Sequence, residues 1–187
     1  MFTKMNQPNR SYFQLRQAEE VAEIFAKHKV NFMFIGKSGA ILLGYPAATQ
    51  DVVLFPEKSV ENGKKLVVAL RELEFEITET IAEKIIRGVD FVQLKDGPFD
   101  LDLVFAPDGI ENFAEAKKRM IMIDNFPVAN IRDIIASKRA SGREKDLNDL
   151  PLLEDFQEVF EKRQRGEPKS ALEIAMEKLQ KADKDKI

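Results

Sequence analysis

The sequence predicts an α/β (α+β) fold in which helices flank one mixed β-sheet and a helical part follows at the C-terminus. Two observations support this prediction. Between residues 15 and 128, short apolar segments typical of strands alternate with segments whose apolar residues recur at helical spacing, and residues 130–165 are helical in pattern throughout. The chain has 187 residues, of which 44% are apolar, and this is enough to bury one substantial core.

The first four elements alternate between helix and strand. Residues 15–29 place apolar side chains at intervals of three and one, which is typical of one helical face. The apolar run FMFI, which ends at Gly36, predicts a buried strand, and the small residues of 38–43 predict a short helix packed on it. The segment DVVLF at 51–55 is rich in β-branched residues and stops at Pro56, which predicts a second strand.

Two further helices and a hairpin are expected next. Residues 58–73 and 79–86 have helical spacing, the first in spite of Gly63. Residues 89–94 and 99–105 alternate with a period of two on either side of the turn KDGP. This arrangement predicts two strands that are joined as a hairpin.

The following part of the chain is predicted to be mainly helical. Residues 111–118 predict a helix, and residues 120–128 predict a strand that is interrupted at Asp124. Asn130 is expected to cap a helix that ends at Gly142, because asparagine is a good N-cap residue and glycine a good helix terminator.

The domain prediction follows from these elements. We expect a first domain at residues 1–165, with a core at about 30–129 and a helical part at about 130–165. The linker GEP and the capping box SALE at 170–173 predict that residues 166–187 form a linker and an appended C-terminal helix. The apolar side of that helix could pack on its own domain or bind a protein partner or a second copy of the chain.

Composition restricts the class of protein. The chain has 29 Lys and Arg and 32 Asp and Glu, so a net charge of −3 does not indicate RNA binding, and any polyanion contact is expected to be local. The absence of cysteine excludes disulfides and thiolate metal sites, and the single His28 cannot form a zinc site alone. The sequence shows neither a signal peptide nor a membrane-spanning segment, which predicts a cytoplasmic protein without a membrane partner.

A candidate ligand site lies where the FMFI strand meets the turn and the short helix. Backbone N–H groups at such a place favour anions, so we predict that Gly36, Lys37, Ser38 and Gly39 contact phosphate. Lys37 could add a point charge or remain solvated. Asp51 stands at the mouth of the next strand, where its carboxylate could hold a cation or simply face solvent.

Two more carboxylates are candidates for the same site. Side chains of a strand alternate between its faces, so Asp100 and Asp102 are expected to share the face opposite the apolar residues of FDLDLVF. Asp100 could equally be an ordinary surface residue. A basic cluster could flank a polyanion or form ion pairs with the acidic residues beside it; its members are Lys138, Arg139, Arg143 and Lys145.

Several of these residues occur in the same order as the motifs of a known protein family. The chain resembles the nucleotidyltransferase fold of the DNA polymerase beta superfamily, and in particular the small bacterial proteins of the antitoxin and abortive-infection type. The segments at 108–119 and 134–156 resemble later signatures of that family, so the resemblance covers residues 30–156. The matching positions, in chain order, are Gly36, Gly44, Pro46, Thr49, Asp51 and Asp102.

The resemblance implies a specific chemistry. In that family three carboxylates hold two Mg²⁺ ions that clamp a nucleoside triphosphate, and the glycine turn and the threonine contact it, which would give Thr49 a binding role here. This sequence departs from the pattern at three positions. Lys37 replaces the second glycine of the turn, Ala47 replaces an arginine that contacts phosphate, and Val53 replaces a carboxylate.

Three functions are therefore consistent with the sequence. The first is a protein that binds a nucleotide or phosphate in the family cleft with nucleotidyl transfer reduced or lost, that is, a pseudoenzyme. The second is an active, magnesium-dependent nucleotidyltransferase in which Asp51, Asp100 and Asp102 supply the catalytic and metal-binding carboxylates. The third is an antitoxin-like module that binds a protein partner. The first two alternatives require that the carboxylates and the turn line one cleft, whereas in the third the cleft is vestigial.

Overall fold

The computed structural model describes residues 12–169, 174–175 and 177–178 of the chain. The chain divides into two compact units at residues 1–150 and 151–187. The first unit contains the whole β-sheet and the candidate site. The second contains the greater part of the last helix, in which the rings of Phe156 and Phe160 lie 5.7 Å apart.

Six strands form one mixed sheet, which confirms the predicted fold class. Their order across the sheet is β3-β4-β2-β1-β6-β5. The central pair β2 and β4 is parallel, as is the pair β1 and β6, and the other three pairs are antiparallel. The strands are β1 (Phe32–Phe34), β2 (Val52–Pro56), β3 (Phe91–Leu94), β4 (Leu101–Val104), β5 (Ile121–Ile123) and β6 (Phe126–Val128).

The central strands alternate as their sequences predict. Leu101 and Leu103 of β4 and Val52 and Leu54 of β2 are fully buried and form part of the core. The residues between them, Asp102 among them, are only partly buried and belong to the opposite face. That face is where the carboxylates were expected.

Seven helices lie within residues 12–169. The short helix α2 packs on β2, β6 and α6, while α1, α3 and α4 pack in succession and contact β6 and β3. The helices are α1 (Leu15–Lys27), α2 (Gly36–Leu42), α3 (Val60–Glu72), α4 (Glu79–Arg87), α5 (Phe113–Arg119), α6 (Ile131–Ser141) and α7 (Glu144–Gln164).

Local chemistry explains why several helices begin and end where they do. Ser59, Thr78 and Asn112 each accept a hydrogen bond from a backbone N–H in the first turn of the helix that follows. Asn130 caps α6 through Arg132 N–H, and Gly142 ends the helix with a φ of 64°, as predicted.

Two predictions about the elements need correction or remain outside the description. Residues 120–128 were expected to form one interrupted strand, but they form the hairpin of β5 and β6, because Asp124 takes a φ of 50° and reverses the chain. The predicted capping box at 170–173 and most of the helix after it lie outside the described residues. In the part that is described, no helix combines the length and the apolar composition that are needed to cross a membrane.

Candidate functional site

The turn after β1 has the geometry that its glycine predicts. Gly36 has a φ of 64°, in the left-handed region that glycine adopts without strain. A Cβ atom at Gly36 would lie 3.4 Å from Cβ of Val53, so the turn is in contact with the neighbouring strand β2. The Ile35 N–H donates to the Val53 carbonyl at 3.0 Å and joins the two segments. The turn therefore opens directly beside the side chain of Val53.

Strand β2, which follows Asp51, is the neighbour of strand β4, which carries Asp102. Val53 pairs with Asp102 in the parallel register of β2 and β4, and Gln93 of β3 pairs with Asp102 on the other side. The Gln93 side-chain amide donates to Asp102 Oδ1 at 3.2 Å. Paired residues project to the same face of a sheet, so these three side chains form one row.

Asp102 lies in an environment that disfavours its charge. Partial burial raises the pKa of the Asp102 carboxyl, and the charges of Asp51 and Asp100 raise it further, while the hydrogen bond from Gln93 and the charge of Lys95 act in the opposite direction. The charges of Asp51 and Asp100 are thus near enough to act on Asp102.

A cleft of about 700 Å³ brings most of the predicted site residues together. Gly36, Lys37, Thr49, Asp51 and Asp102 all line it. Its volume is within the range of small-molecule sites. The Gly36 turn, the start of β2 and the middle of β4 therefore converge on one cleft.

Three predicted residues lie elsewhere. Ser38 is fully buried; its hydroxyl donates to the Ile35 carbonyl and accepts from the Val53 N–H at 3.0 Å. Gly39 is buried against β1, where an added Cβ would lie 3.0 Å from the carbonyl oxygen of Phe34. Asp100 does not line the cleft, although its charge reaches Asp102. Ser38 and Gly39 thus hold α2 against β1 and β2, which is a structural role.

Charged residues of both signs line the cleft, Asp90, Asp108 and Asp146 among them, and we name two groups of the others as walls. We define the carboxylate wall as Asp51 and Asp102, which come from the sheet. The basic wall comes from α2, α6 and the start of α7, and consists of Lys37, Lys138, Arg143 and Lys145.

Lys37 is held by an ion pair. Its Nζ donates to Asp149 Oδ1 at 2.9 Å, and Lys138 Nζ donates to the other oxygen of Asp149 at 3.0 Å. Burial alone would raise the pKa of Asp149, but the hydrogen bonds from both lysines lower it below its ordinary value. The long side chain of Lys37 therefore bridges α2 to α7. The sequence had allowed two other interpretations, a phosphate contact or a solvated lysine.

A second carboxylate organises the rest of the basic wall. Asp146 is 3% exposed and accepts hydrogen bonds from Lys138 Nζ at 2.8 Å, Ser141 Oγ at 2.7 Å and Arg143 Nε at 2.7 Å. Burial alone would raise its pKa, but these hydrogen bonds lower the pKa of Asp146 to about 2. The ion-pair alternative for the basic cluster thus holds for Lys138 and Arg143.

The residues do not fit a two-metal site. Within residues 12–169, 174–175 and 177–178, no group of three or more His, Asp or Glu side chains is arranged to hold a metal ion. The position beside Asp102 is occupied by Val53, whose side chain has no oxygen ligand to offer a hard cation. Gln93 presents an amide donor to Asp102 Oδ1 from the other side.

Two aromatic residues that line the cleft were not predicted from the sequence. Phe91 is 53% exposed and Tyr12 is 65% exposed, and both line the cleft. The Phe13 N–H donates to the Thr49 carbonyl at 2.7 Å and so fixes the segment that carries Tyr12 beside the Thr49 loop. Phe91 could have been found from the alternation of β3, because it shares the parity of Gln93, whereas the contact of Tyr12 depends on the tertiary fold.

Comparison with solved structures identifies the fold. The chain is similar to the antibiotic-resistance factor ANT(2'')-Ia, whose solution structure shows substrate-regulated conformational dynamics, with a TM-score of 0.51 and 15% identity over 82% of this chain and 96% of that chain. A protein of Thermotoga maritima assigned as a nucleotidyltransferase gives a TM-score of 0.49 and 15% identity over 73% of this chain and 89% of that chain. No protein-family model and no curated protein sequence matches. The chain has a nucleotidyltransferase fold, and this confirms the fold that its motifs predicted.

Proposed function

We propose that this chain binds a nucleotide or another phosphate-containing small molecule in the cleft, and that its nucleotidyl transfer is reduced or lost. One observation carries the proposal. On a nucleotidyltransferase fold, the Gly36 turn, the carboxylate wall and the basic wall all line the same cleft of about 700 Å³. Such a cleft, with a few convergent polar groups, is the usual form of a small-molecule site.

The polar residues of the cleft favour an anionic ligand at one side. Lysine and arginine are the side chains that bind phosphate oxygens, and four of them line the basic wall. Thr49 is partly buried in the cleft and adds a hydroxyl, which can donate to a phosphate or a ribose oxygen.

The aromatic residues of the cleft favour a nucleotide over a bare phosphate. Phe91 and Tyr12 are exposed to an extent that is unusual for large apolar rings, and both face the cleft. An exposed ring in a cleft that also contains cations can stack on a nucleobase while the cations hold the phosphate. Base stacking on an aromatic side chain contributes about 1–3 kcal/mol.

The loss of transfer follows from the residues at three positions. Val53 gives no metal ligand beside Asp102, Ala47 gives no guanidinium, and Lys37 is bound to Asp149. Phosphoryl and nucleotidyl transfer depend almost entirely on positioning and on neutralisation of the phosphate charge. Without these groups, the cleft retains residues that can bind a ligand but lacks most of the groups that would accelerate nucleotidyl transfer.

Thermal unfolding tests the binding half of the proposal. ATP and pyrophosphate are added separately to the purified chain, and a ligand at 100 times its dissociation constant should stabilise it by about 2.7 kcal/mol. Val104 lines the cleft, so Val104→Trp should fill it and abolish the ligand-induced shift. Val68→Trp is the matched control, because Val68 is exposed on α3 and outside the cleft. If neither ligand shifts the transition, the binding proposal is wrong.

A transfer assay tests the other half. The chain is incubated with labelled nucleoside triphosphates, Mg²⁺ and a cell extract, and labelled protein, RNA and small molecules are separated. We expect no product above that of a control in which Asp51 and Asp102 are both changed to Asn. A labelled product that requires these two residues would instead support the active, magnesium-dependent alternative.

A further inference from the structure

We infer that the phosphate of the bound ligand is neutralised by Arg143 and Lys145 of the basic wall, and that binding does not require a divalent metal ion. The inference rests on the proposed function, because it assumes that a phosphate-containing ligand enters the cleft. It goes beyond the proposed function because it assigns the phosphate contact to particular side chains and states that binding needs no metal ion.

The carboxylate wall is poorly suited to a metal-bridged phosphate. Asp51 and Asp102 line the cleft, but the third position of the row is the apolar Val53. Asp102 Oδ1 already accepts a hydrogen bond from Gln93, which competes with a metal ion for that oxygen. An anion placed against this wall without a metal would be repelled.

Arg143 has the geometry of an anchored phosphate ligand. Its Nε donates to Asp146 Oδ2 at 2.7 Å, while its side chain is 74% exposed at the cleft. An arginine side chain has five N–H donors in a rigid fork, so one bond at Nε fixes the guanidinium and leaves both terminal nitrogens able to donate. A guanidinium that is held in this way loses less entropy when it binds a phosphate.

Lys145 provides a cation without a competing partner. Within the described part of the chain, its side chain makes no hydrogen bond and no ion pair, and it lines the same cleft. The neighbouring Lys138 differs, since it is 8% exposed and donates to both Asp146 and Asp149. Lys138 therefore orients the carboxylate that holds Arg143. Arg143 and Lys145 remain available to bind the ligand.

Calorimetric titration of ATP in EDTA and in Mg²⁺ tests the inference. We expect the wild-type chain to bind ATP with dissociation constants that agree within about threefold in the two buffers. Arg143→Gln and Lys145→Gln should each weaken binding in EDTA by about tenfold, the size of one charge-assisted contact. Asp102→Asn should tighten it by about twofold, because it removes a repelling charge.

Two controls keep the test specific. Lys64→Gln removes a lysine that is exposed on α3 and outside the cleft, and it should change the dissociation constant by less than twofold. Arg143→Lys keeps the charge and loses the fork, so it should recover only part of the affinity. The melting temperature of each variant in the absence of ligand shows whether it is folded.

The outcomes separate this inference from the proposed function. ATP binding that appears only with Mg²⁺, or that is as strong in Lys145→Gln and Arg143→Gln as in Lys64→Gln, overturns the inference and leaves the proposed function standing. The absence of ATP and pyrophosphate binding in both buffers overturns both.

Discussion

Val53 lies directly beside Asp102 in the parallel pairing of β2 and β4, with its side chain against the Gly36 turn. A carboxylate at this position would stand in the same row as Asp102 and would face the cleft. The backbone thus places position 53 where a second metal ligand could stand beside Asp102, but the Val53 side chain cannot bind a metal ion. This relationship makes the missing ligand testable by a single substitution.

We predict that Val53→Asp creates a binding site for a divalent ion. In EDTA the variant should be less stable than the wild type by about 1–2 kcal/mol, because it adds a partly buried charge beside Asp102. Mn²⁺ at ten times its dissociation constant should restore about 1.4 kcal/mol. Chemical denaturation in EDTA and in Mn²⁺ measures both effects.

The matched control for this change is Val53→Asn, which adds a polar side chain of nearly the same shape without the charge. Mn²⁺ should stabilise it no more than it stabilises the wild type. Equal rescue of the Asn and Asp variants would show that the ion binds elsewhere.

We predict that Asp102→Asn stabilises the chain at neutral pH. The pKa of Asp102 is raised, so its ionisation disfavours the folded state once the pH exceeds the ordinary carboxyl pKa. Asparagine keeps an oxygen that can accept from Gln93, avoids the cost of burying a charge, and removes the repulsion by Asp51 and Asp100. Interactions of partly exposed charges contribute less than about 1 kcal/mol, so a gain of about 0.5 kcal/mol is expected at pH 7.

The pH dependence distinguishes this cause from a packing effect. The difference between Asp102→Asn and the wild type should shrink as the pH falls and the wild-type carboxyl gains its proton. Urea denaturation at pH 7 and pH 4 checks this, and a difference that stays constant between the two would contradict the electrostatic explanation.

The sequence was sufficient for the elements that depend on local chemistry. The alternation of FDLDLVF gave the buried face of β4, and Asn130 and Gly142 gave the ends of α6. The sequence could not supply the partner of Lys37, because Asp149 lies 112 residues away in the chain and only the tertiary fold brings the two together. Asp146 and Asp149 lie only 3 to 11 residues from Arg143 and Lys138, but the path of the turn after Gly142, which decides whether these side chains form ion pairs, could not be predicted.

We predict a loss of stability in acid that is caused by Asp146. Its pKa is lowered to about 2 from an ordinary value of 3.8, so its ionised form stabilises the folded chain. This contribution is fully present above about pH 4 and is lost as the pH falls through 2, because the unfolded chain takes up the proton first. The free energy of unfolding, measured by denaturation between pH 5 and pH 2, should fall over this interval.

The source of the effect is identified by comparing two variants. Asp146→Asn should be less stable than the wild type at pH 5 and should show a smaller decrease toward pH 2. Asp155→Asn, an exposed position of the same helix, should follow the wild-type curve. A wild-type slope that persists in Asp146→Asn would place the titrating group elsewhere.

We predict that Gly63→Ala destabilises the chain although it improves helix propensity. Alanine favours a helix interior over glycine by about 1 kcal/mol. A Cβ atom at Gly63, however, would lie 2.7 Å from Cα of Ile86 and 3.1 Å from the carbonyl oxygen of Ile85, which are backbone atoms of α4. Forcing the helices apart should outweigh the propensity and give a net loss of about 1–3 kcal/mol. Val68→Ala, at an exposed site of α3, should change stability by less than about 0.5 kcal/mol.

We predict that Phe91→Ala weakens the binding of ATP and leaves the binding of pyrophosphate unchanged. Phe91 lines the cleft and is 53% exposed, so its truncation removes little packing within the fold. If the ring stacks on the base, its loss should reduce ATP affinity by about tenfold, which is within the range of one base–aromatic contact. Phe91→Trp should retain the affinity, since a larger ring keeps the stacking face. Titration of both ligands into the three proteins measures the effect, and an equal loss for ATP and pyrophosphate would mean that Phe91 shapes the cleft without contacting a base.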